Sequence, residues 1–296
     1  MSRLARGQGA NLQAQMKHAQ QLLTQGDHYE AQQVFQSLVV RTVNAGKPAV
    51  AAKVRFLSDR ERQASFSAAQ IGFVGALAFA EKGHFNSASA LALAALDASK
   101  DGEYALARVT DLLAAMRGSE EASVAAKKIM QKTLESLDQE KKAELHLAYG
   151  VFLASVHTDA SLTHLARGAA FDADTAAETT QEFLRFVREL KAENASFLHA
   201  KTALLFMAES ENTELPWQFV QKASVPPSDC LTAARVLARA VQKQSGALFA
   251  SARQFHQQTL QQADLLALAD KAGQRFGLSP LSGPGLGGLL KNILGF

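Results

Sequence analysis

The sequence predicts an all-α protein: a right-handed-type α-solenoid of irregular stacked antiparallel helix pairs, tetratricopeptide-like, followed by a flexible C-terminal tail. Three observations carry this. The stretch Gly26–Arg41 contains both a helix stop and a helix start. Gly26 suits the left-handed residue that ends one helix, and Asp27 suits the cap of the next. Ala31, Val34, Phe35, Leu38 and Val39 then recur at i, i+3, i+4, i+7 and i+8, one apolar helical stripe with a small residue where the preceding helix must cross closely. The composition agrees, with 47% hydrophobic residues but 7% aromatics, so Ala and Leu carry the apolar content. Six prolines and few alternating β-branched runs argue against a β-rich fold. Finally, the punctuation recurs. Lys82–Ala88 echoes Gln25–Ala31, in each case a glycine stop, then an aromatic residue, then an alanine five residues after the glycine. The displacement of 57 positions fits no standard repeat length, so the repeats are irregular.

In order, residues 9–24 are expected to form the first helix, weakly capped at Asn11, and residues 28–45 the second, ended by Gly46. Pro48 is placed to open a third over 48–64, whose charged side chains give it a solvated face. Ser65–Ser67 reads as a break before the apolar run Ile71–Ala80, where Gly72 and Gly75 permit close helix contact. Later starts are signalled at Asp101, Ser119, Asp138, Asp159, Asp174, Glu193, Pro227-Ser228 and near Gly246. Glu211–Pro216 and Ser224–Ser228 are expected to be non-helical, with Trp217, Phe219 and Val220 between them in a short extended or partner-exposed segment. Beyond Phe276 a Gly/Pro-rich linker leads to the small apolar piece Leu289–Phe296.

Charge narrows the partner. The net charge is +3, but residues 1–62 hold nine basic and four acidic side chains, so that end carries +5 and the remainder −2. A basic pole of this kind steers an acidic protein as readily as a phosphate backbone. Without the Arg/aromatic clusters that grip single strands, a protein partner is expected and nucleic acid is not. The single cysteine, Cys230, leaves no intrachain disulfide framework and fits a reducing compartment. The polar, basic start has no apolar core, so no secretory signal is expected, and no run approaches the roughly 18 apolar residues of a membrane span. These features predict a cytosolic protein. The tail is too short, with one positive charge, for stable membrane insertion.

Catalytic and cofactor signatures are weak. Gly283, Gly285 and Gly288 satisfy G-x-G-x-x-G, but no strand precedes them and no ribose-binding acid follows. His146, His157 and His164 are spaced by 11 and 7, without the i, i+4 pairing of a helical metal site, and read as exposed or satisfied helix histidines. Cys230 has no CxxC partner. Asn194-Ala195-Ser196 is a sequon that a cytosolic chain would not use. No enzyme activity, metal or cofactor is expected.

Three stretches carry a resemblance. Gly26-Asp27-x-Tyr29-Glu30-Ala31-x-Gln33 with Arg41, Gly75-Ala76-Leu77-x-Phe79, and Phe276-Gly277 followed by Pro280 and Gly287-Gly288-Leu289-Leu290-x-Asn292-x-Leu294 occur in the order and approximate spacing seen in one family. The sequence resembles the Golgi to ER traffic protein four family, the α-solenoid adaptor of the guided-entry pathway for tail-anchored membrane proteins. It departs from that pattern at Gln32, Gln36 and Ala90, and residues 56–70 look inserted. The resemblance implies a non-enzymatic adaptor. Residues 1–157 would face the pathway's dimeric targeting ATPase, through Arg41 with Lys17, His18 and Lys47 near it. Residues 158–276 would hold a ubiquitin-like-domain protein or a large scaffold co-chaperone, with Trp217, Phe219 and Val220 as candidate contacts, and residues 277–296 would form the linker and tail. The alternative is a generic helical-repeat scaffold subunit of another cytosolic complex, which would not bind the ATPase.

Overall fold

The structure, a computed structural model, describes residues 2–45, 67–99, 101–190 and 195–278. Among them all regular structure is helical, fifteen α-helices and one 3-10 turn at Glu120–Ala122, packed in consecutive pairs. The all-α class and the pairwise packing are as expected. Contacts divide the chain into two compact units, Met1–Lys141 and Lys142–Phe296, which meet in the first turn of the helix Gln139–Ser155.

The first unit contains α1 (Ser2–Gln25), α2 (His28–Ala45), α3 (Ala68–Glu81), α4 (Phe85–Ala98), α5 (Gly102–Ala115) and α6 (Ser123–Leu134). Gly26 and Gly83, at φ 94° and 78°, end α1 and α3 in the left-handed conformation. In each turn the following residue's N–H reaches back to a carbonyl five positions earlier, Asp27 to Leu22 and His84 to Phe79, both at 2.9 Å. This is the six-to-one bond that satisfies a helix C-terminus. The two echoed starts lie side by side. The His28 and His84 rings are 3.6 Å apart, Ser87 donates to Gln32 at 2.8 Å, and Ala31 and Ala88 are both fully buried.

Two boundaries differ from expectation. Helix α1 starts at Ser2, so Asn11 lies inside it and not at its start. Gly7 and Gly9 each cost about 1 kcal/mol relative to alanine, too little to stop a helix among good helix formers. Helix α3 starts at Ala68 because Ser67 and Gln70 form a reciprocal capping box, with N–H···O distances of 3.1 and 2.7 Å. The helix expected over 48–64, the start at Glu193 and the tail beyond Leu278 lie outside the described residues.

Helix α3 is seated by its glycines, as the sequence suggested. A Cβ on Gly72 would lie 2.7 Å from the Ala95 Cβ, and one on Gly75 would lie 2.9 Å from the Phe35 ring. Glycine therefore lets α3 touch α4 and α2 at once, and Phe35 meets Phe79 edge-on above that contact.

The second unit comprises α7 (Gln139–Ser155), α8 (Ala160–Gly168), α9 (Ala173–Leu190), α10 (Ala195–Glu209), α11 (Glu214–Gln221), α12 (Asp229–Gln242), α13 (Gly246–Phe255), α14 (Gln257–Gln262) and α15 (Leu266–Arg275). Helix α10 is its axis. Ten of its fifteen residues are buried, and α8, α11, α12 and α15 pack around it. A helix covered on most sides has no polar stripe, which accounts for the unbroken apolar run Ala203–Ala208. Helix α9 begins at Ala173, capped by Asp172 through the Thr175 N–H at 3.0 Å, so Asp174 sits in the first turn and does not initiate the helix. Ser228 and Ser245 cap α12 and α13 through the Leu231 and Leu248 N–H groups.

Residues 211–221 correct the expectation of an extended segment. Asn212 accepts from the Glu214 and Leu215 N–H groups and starts α11, with Pro216 in its first turn, where a missing N–H costs nothing. Phe219 and Val220 face the core, at 3% and 0% exposure.

Two substitutions test this packing by urea denaturation. Gly168→Ala would place a Cβ 2.5 Å from the Leu147 Cα, so it should destabilise the protein by about 2–3 kcal/mol, in the upper range for overpacking. Gln244, at φ 50° after α12, occupies a glycine position, and Gln244→Gly should stabilise by about 0.5–1 kcal/mol.

Candidate interaction surfaces

At the N-terminal end, α1 turns Met16, Ala19, Leu22 and Leu23 inward, which leaves Lys17 and His18 exposed. Arg41 is exposed near the end of α2. Among the described residues none of these three belongs to an ion pair. Helices α1 and α2 form one antiparallel pair, so the basic side chains belong to a single supersecondary unit. Lys47 lies outside the described residues.

Sequence reasoning missed an apolar stripe on the same helix pair. The core face of α2 is Ala31, Phe35, Leu38 and Val39. Tyr29, Val40 and Val43 fall off that face and are 75%, 57% and 40% exposed. Their spacing of i, i+11 and i+14 returns to one side of a helix at 3.6 residues per turn. Gln33 and Gln36 fall between them on the same side, and Arg41 is exposed one residue after Val40, about 100° further round the helix. The signal was present in the sequence, since three large apolar residues lay outside the stripe that explained the others.

In the second unit, Trp217 is the one member of the expected trio that reaches the surface, half-buried on α11. The Arg239 guanidinium of α12 lies 4.8 Å over its ring and hydrogen-bonds Gln242, whose amide reaches Glu214 at 2.7 Å. Phe219 instead packs edge-on against Phe206 at 5.4 Å and stacks on His199, as a core residue. An aromatic segment between two turn signals resembles an exposed loop in sequence, because local pattern does not show that α10 and α12 close over it.

His146 and His164 form a pair that the sequence did not suggest. Their Nδ1 atoms are 2.9 Å apart across α7 and α8, with Tyr149 edge-on to the His164 ring at 4.8 Å. The ring centroids are 5.1 Å apart, so the nitrogens point at each other as donor and acceptor and do not converge side by side on a common ion. The two rings therefore hold opposite Nδ1 protonation states. His157 stands apart, stacked on Phe186 at 3.6 Å. Among the described residues no group of three His, Cys, Asp or Glu side chains is arranged to hold a metal.

Burial pushes the His146 and His164 pKa values down to about 4. Beside burial, Arg167 and Lys142 lower the His146 value, and His146 and Arg167 lower the His164 value, while Glu209 acts in the opposite sense on both. The same Glu209 joins Arg167 at 3.3 Å and Lys271 at 2.8 Å, and so ties α8 and α15 to α10. It is 12% exposed, and these cations hold its pKa below the ordinary value despite burial.

Comparison with known proteins comes from structure. No family model and no curated protein sequence matches this chain. The crystal structure of C. therm. Get4 superposes on 96% of this chain and 95% of its own, with a TM-score of 0.64 and 15% sequence identity. The two chains share a fold. That similarity runs the length of the chain, as the three motifs of the sequence resemblance did.

The histidine pair has a testable pH signature. Its folded pKa values lie below the unfolded value of 6.5, so the unfolded chain binds more protons between them. The stabilisation is present above about pH 6.5 and is lost as pH falls towards 4. Urea midpoints should drop across that window for the wild type, and the His146→Gln/His164→Gln double variant should lose most of the slope.

Proposed function

We propose that this chain is a non-enzymatic adaptor in the post-translational targeting of tail-anchored membrane proteins to the endoplasmic reticulum. It would act in the cytosol, bridging a targeting ATPase and a ubiquitin-like-domain cofactor. The reading is supported by the end-to-end fold similarity to Get4 and by the three sequence motifs that resemble the same family. The single observation that carries it to a surface is the α1–α2 pair. It joins exposed cations with an exposed apolar stripe, Tyr29, Val40 and Val43 beside Arg41. Charge alone would supply steering, whereas a rigid aromatic and two branched aliphatics supply area that a partner can desolvate. On this reading Lys17, His18 and Arg41, with Lys47, guide the ATPase to the stripe.

The ubiquitin-like-domain or scaffold partner is assigned to the second unit, with Trp217 as the accessible member of its site. Arg239 lies over the indole, and Phe219 and Val220 of the same helix are buried in the core. The alternative, a scaffold of another complex with the same fold, differs in one respect: it predicts no ATPase binding.

Binding of the host's tail-anchored-protein ATPase should be measured with wild type, Arg41→Glu and Val40→Asp at low and physiological salt. Arg41→Glu should slow association and reduce the salt dependence. Val40→Asp should weaken binding at least ten-fold at either salt, since it places a charge in the stripe. No binding by wild type with nucleotide present would overturn the adaptor reading and favour the generic scaffold. Trp217→Ala should weaken the second partner while leaving the ATPase bound.

A further inference from the structure

The outward side of α13 is uncharged and carries the most exposed large apolar side chain among the described residues. Helix α13 turns Phe249 and Ala252 into the core, where the Phe249 ring meets α15 at Gly273. Ala247, Ser251, Gln254 and Phe255 recur at i, i+4, i+7 and i+8 on the side away from them, all exposed, Phe255 at 84%. Residues 246–262, through α14, hold one charged side chain in a chain that is 20% charged. That one, Arg253, is already held by Asp270 of α15 at 2.5 and 3.0 Å. Such a stripe suits an apolar occupant and gives a charged one nothing to pair with.

The place where the chain leaves α15 names the occupant. Gly277, at φ 64°, ends that helix, the Leu278 N–H donates to the Gly273 carbonyl at 2.8 Å, and Leu278 is buried. Its carbonyl oxygen lies 3.8 Å from where a Cβ on Gly246 would stand, so the chain runs on into residue 279 beside the first residue of α13. Phe255 is nine residues along α13, about 14 Å from that point. In the sequence that follows, Leu286, Leu289, Leu290, Ile293 and Leu294 recur at i, i+3, i+4, i+7 and i+8, the period of one apolar helical stripe. Lys291 is the one charge after Leu278. As a helix, residues 286–294 would be about 12 Å long, the length of α13 from Ala247 to Phe255. The eight chain steps from Leu278 to Leu286 are Gly/Pro-rich and span roughly 14–17 Å, which matches the distance to be covered. A tether matched to its span gives an effective concentration on the order of 1 mM, so a contact with a Kd of about 100 µM would be formed about nine-tenths of the time.

We propose that Leu286–Leu294 docks as a short helix on the outward side of α13 of its own chain, with its leucines covering Phe255 and the neutral stripe beside it. Both surfaces belong to this chain, so the contact stands or falls apart from the adaptor reading.

Paramagnetic relaxation enhancement on the full chain tests this, with a nitroxide on Asn292→Cys in a Cys230→Ser background. Position 292 lies off the leucine stripe, so the label should not block docking. The Ser251, Gln254 and Phe255 amide signals should broaden, and Leu290→Asp and Phe255→Ser should each reduce that enhancement at least three-fold. Phe255 is at the surface and Leu290 lies past the last described helix, so both variants should keep the wild-type circular dichroism. Spin-labelled chain mixed with label-free, nitrogen-15-enriched chain should leave those signals sharp. Three outcomes would overturn the proposal: no broadening on α13; enhancement equal in the parent chain and either variant, which would mean that the tether alone brings the label near; or broadening in the mixture, which would put the segment on a second copy.

Discussion

The constraint that governs the helix packing is how closely the helices must approach. Their crossings are set by the absence of side-chain bulk at particular positions. Gly72 lies against Ala95, Gly75 against Phe35, Gly168 against the Leu147 backbone and Gly273 against the Phe249 ring. At each crossing one helix supplies no side chain, so the other comes into direct contact with its backbone and interior density is reached without large residues on both sides. This explains how 47% hydrophobic content with 7% aromatics sustains a well-packed core. Alanine does the same work wherever a methyl fits, and Ala19, Ala31, Ala76, Ala88 and Ala92 are each fully buried.

Much of this was legible locally. A left-handed glycine followed by a helix start is decided by three or four adjacent residues, so the turns at Gly26 and Gly83 and the starts at Asp101, at Ser228 and near Gly246 could be read from the sequence. What was not legible depended on distant chain. The helical state and burial of Phe219 and Val220 require α10 and α12 above them, and no window around residue 219 contains that information. The histidine pair is similar. His146 and His164 are eighteen positions apart and meet because Gly150 and Gly168 allow α7 and α8 to close on each other. Of the site residues, the exposure of Lys17, His18 and Arg41 followed from the helical period, whereas the outward stripe on α2 was hidden by a pattern that already accounted for most of the helix.

The two polar networks of the second unit are structural in character. Glu209 satisfies its buried carboxylate with two cations from other helices, and removal of one would leave a charge partly stranded in the interior. The histidine pair is neutral at pH 7, as a half-buried hydrogen-bonded pair must be when arginine and lysine stand beside it. Both networks tie α8 to its neighbours, to α7 through the histidines and to α10 through Glu209. They explain why polar residues occur at positions that the helical period assigns to the interior, and neither requires a ligand.

The fold similarity to Get4 at 15% identity follows from the same constraint. If small residues at crossings and short glycine turns determine the fold, most side chains on the outward faces are free to change without changing it. Two chains can then superpose over nearly their full length while their surfaces differ at most positions. Fold similarity therefore shows a shared fold, and partner contacts have to be sought on this chain's own outward faces. The α2 stripe is informative for that reason. Exposed Tyr29, Val40 and Val43 contribute nothing to the crossings below them, and large apolar residues held in water on a rigid helix are a standing cost to solubility. On the proposed function they are the surface that a partner would cover.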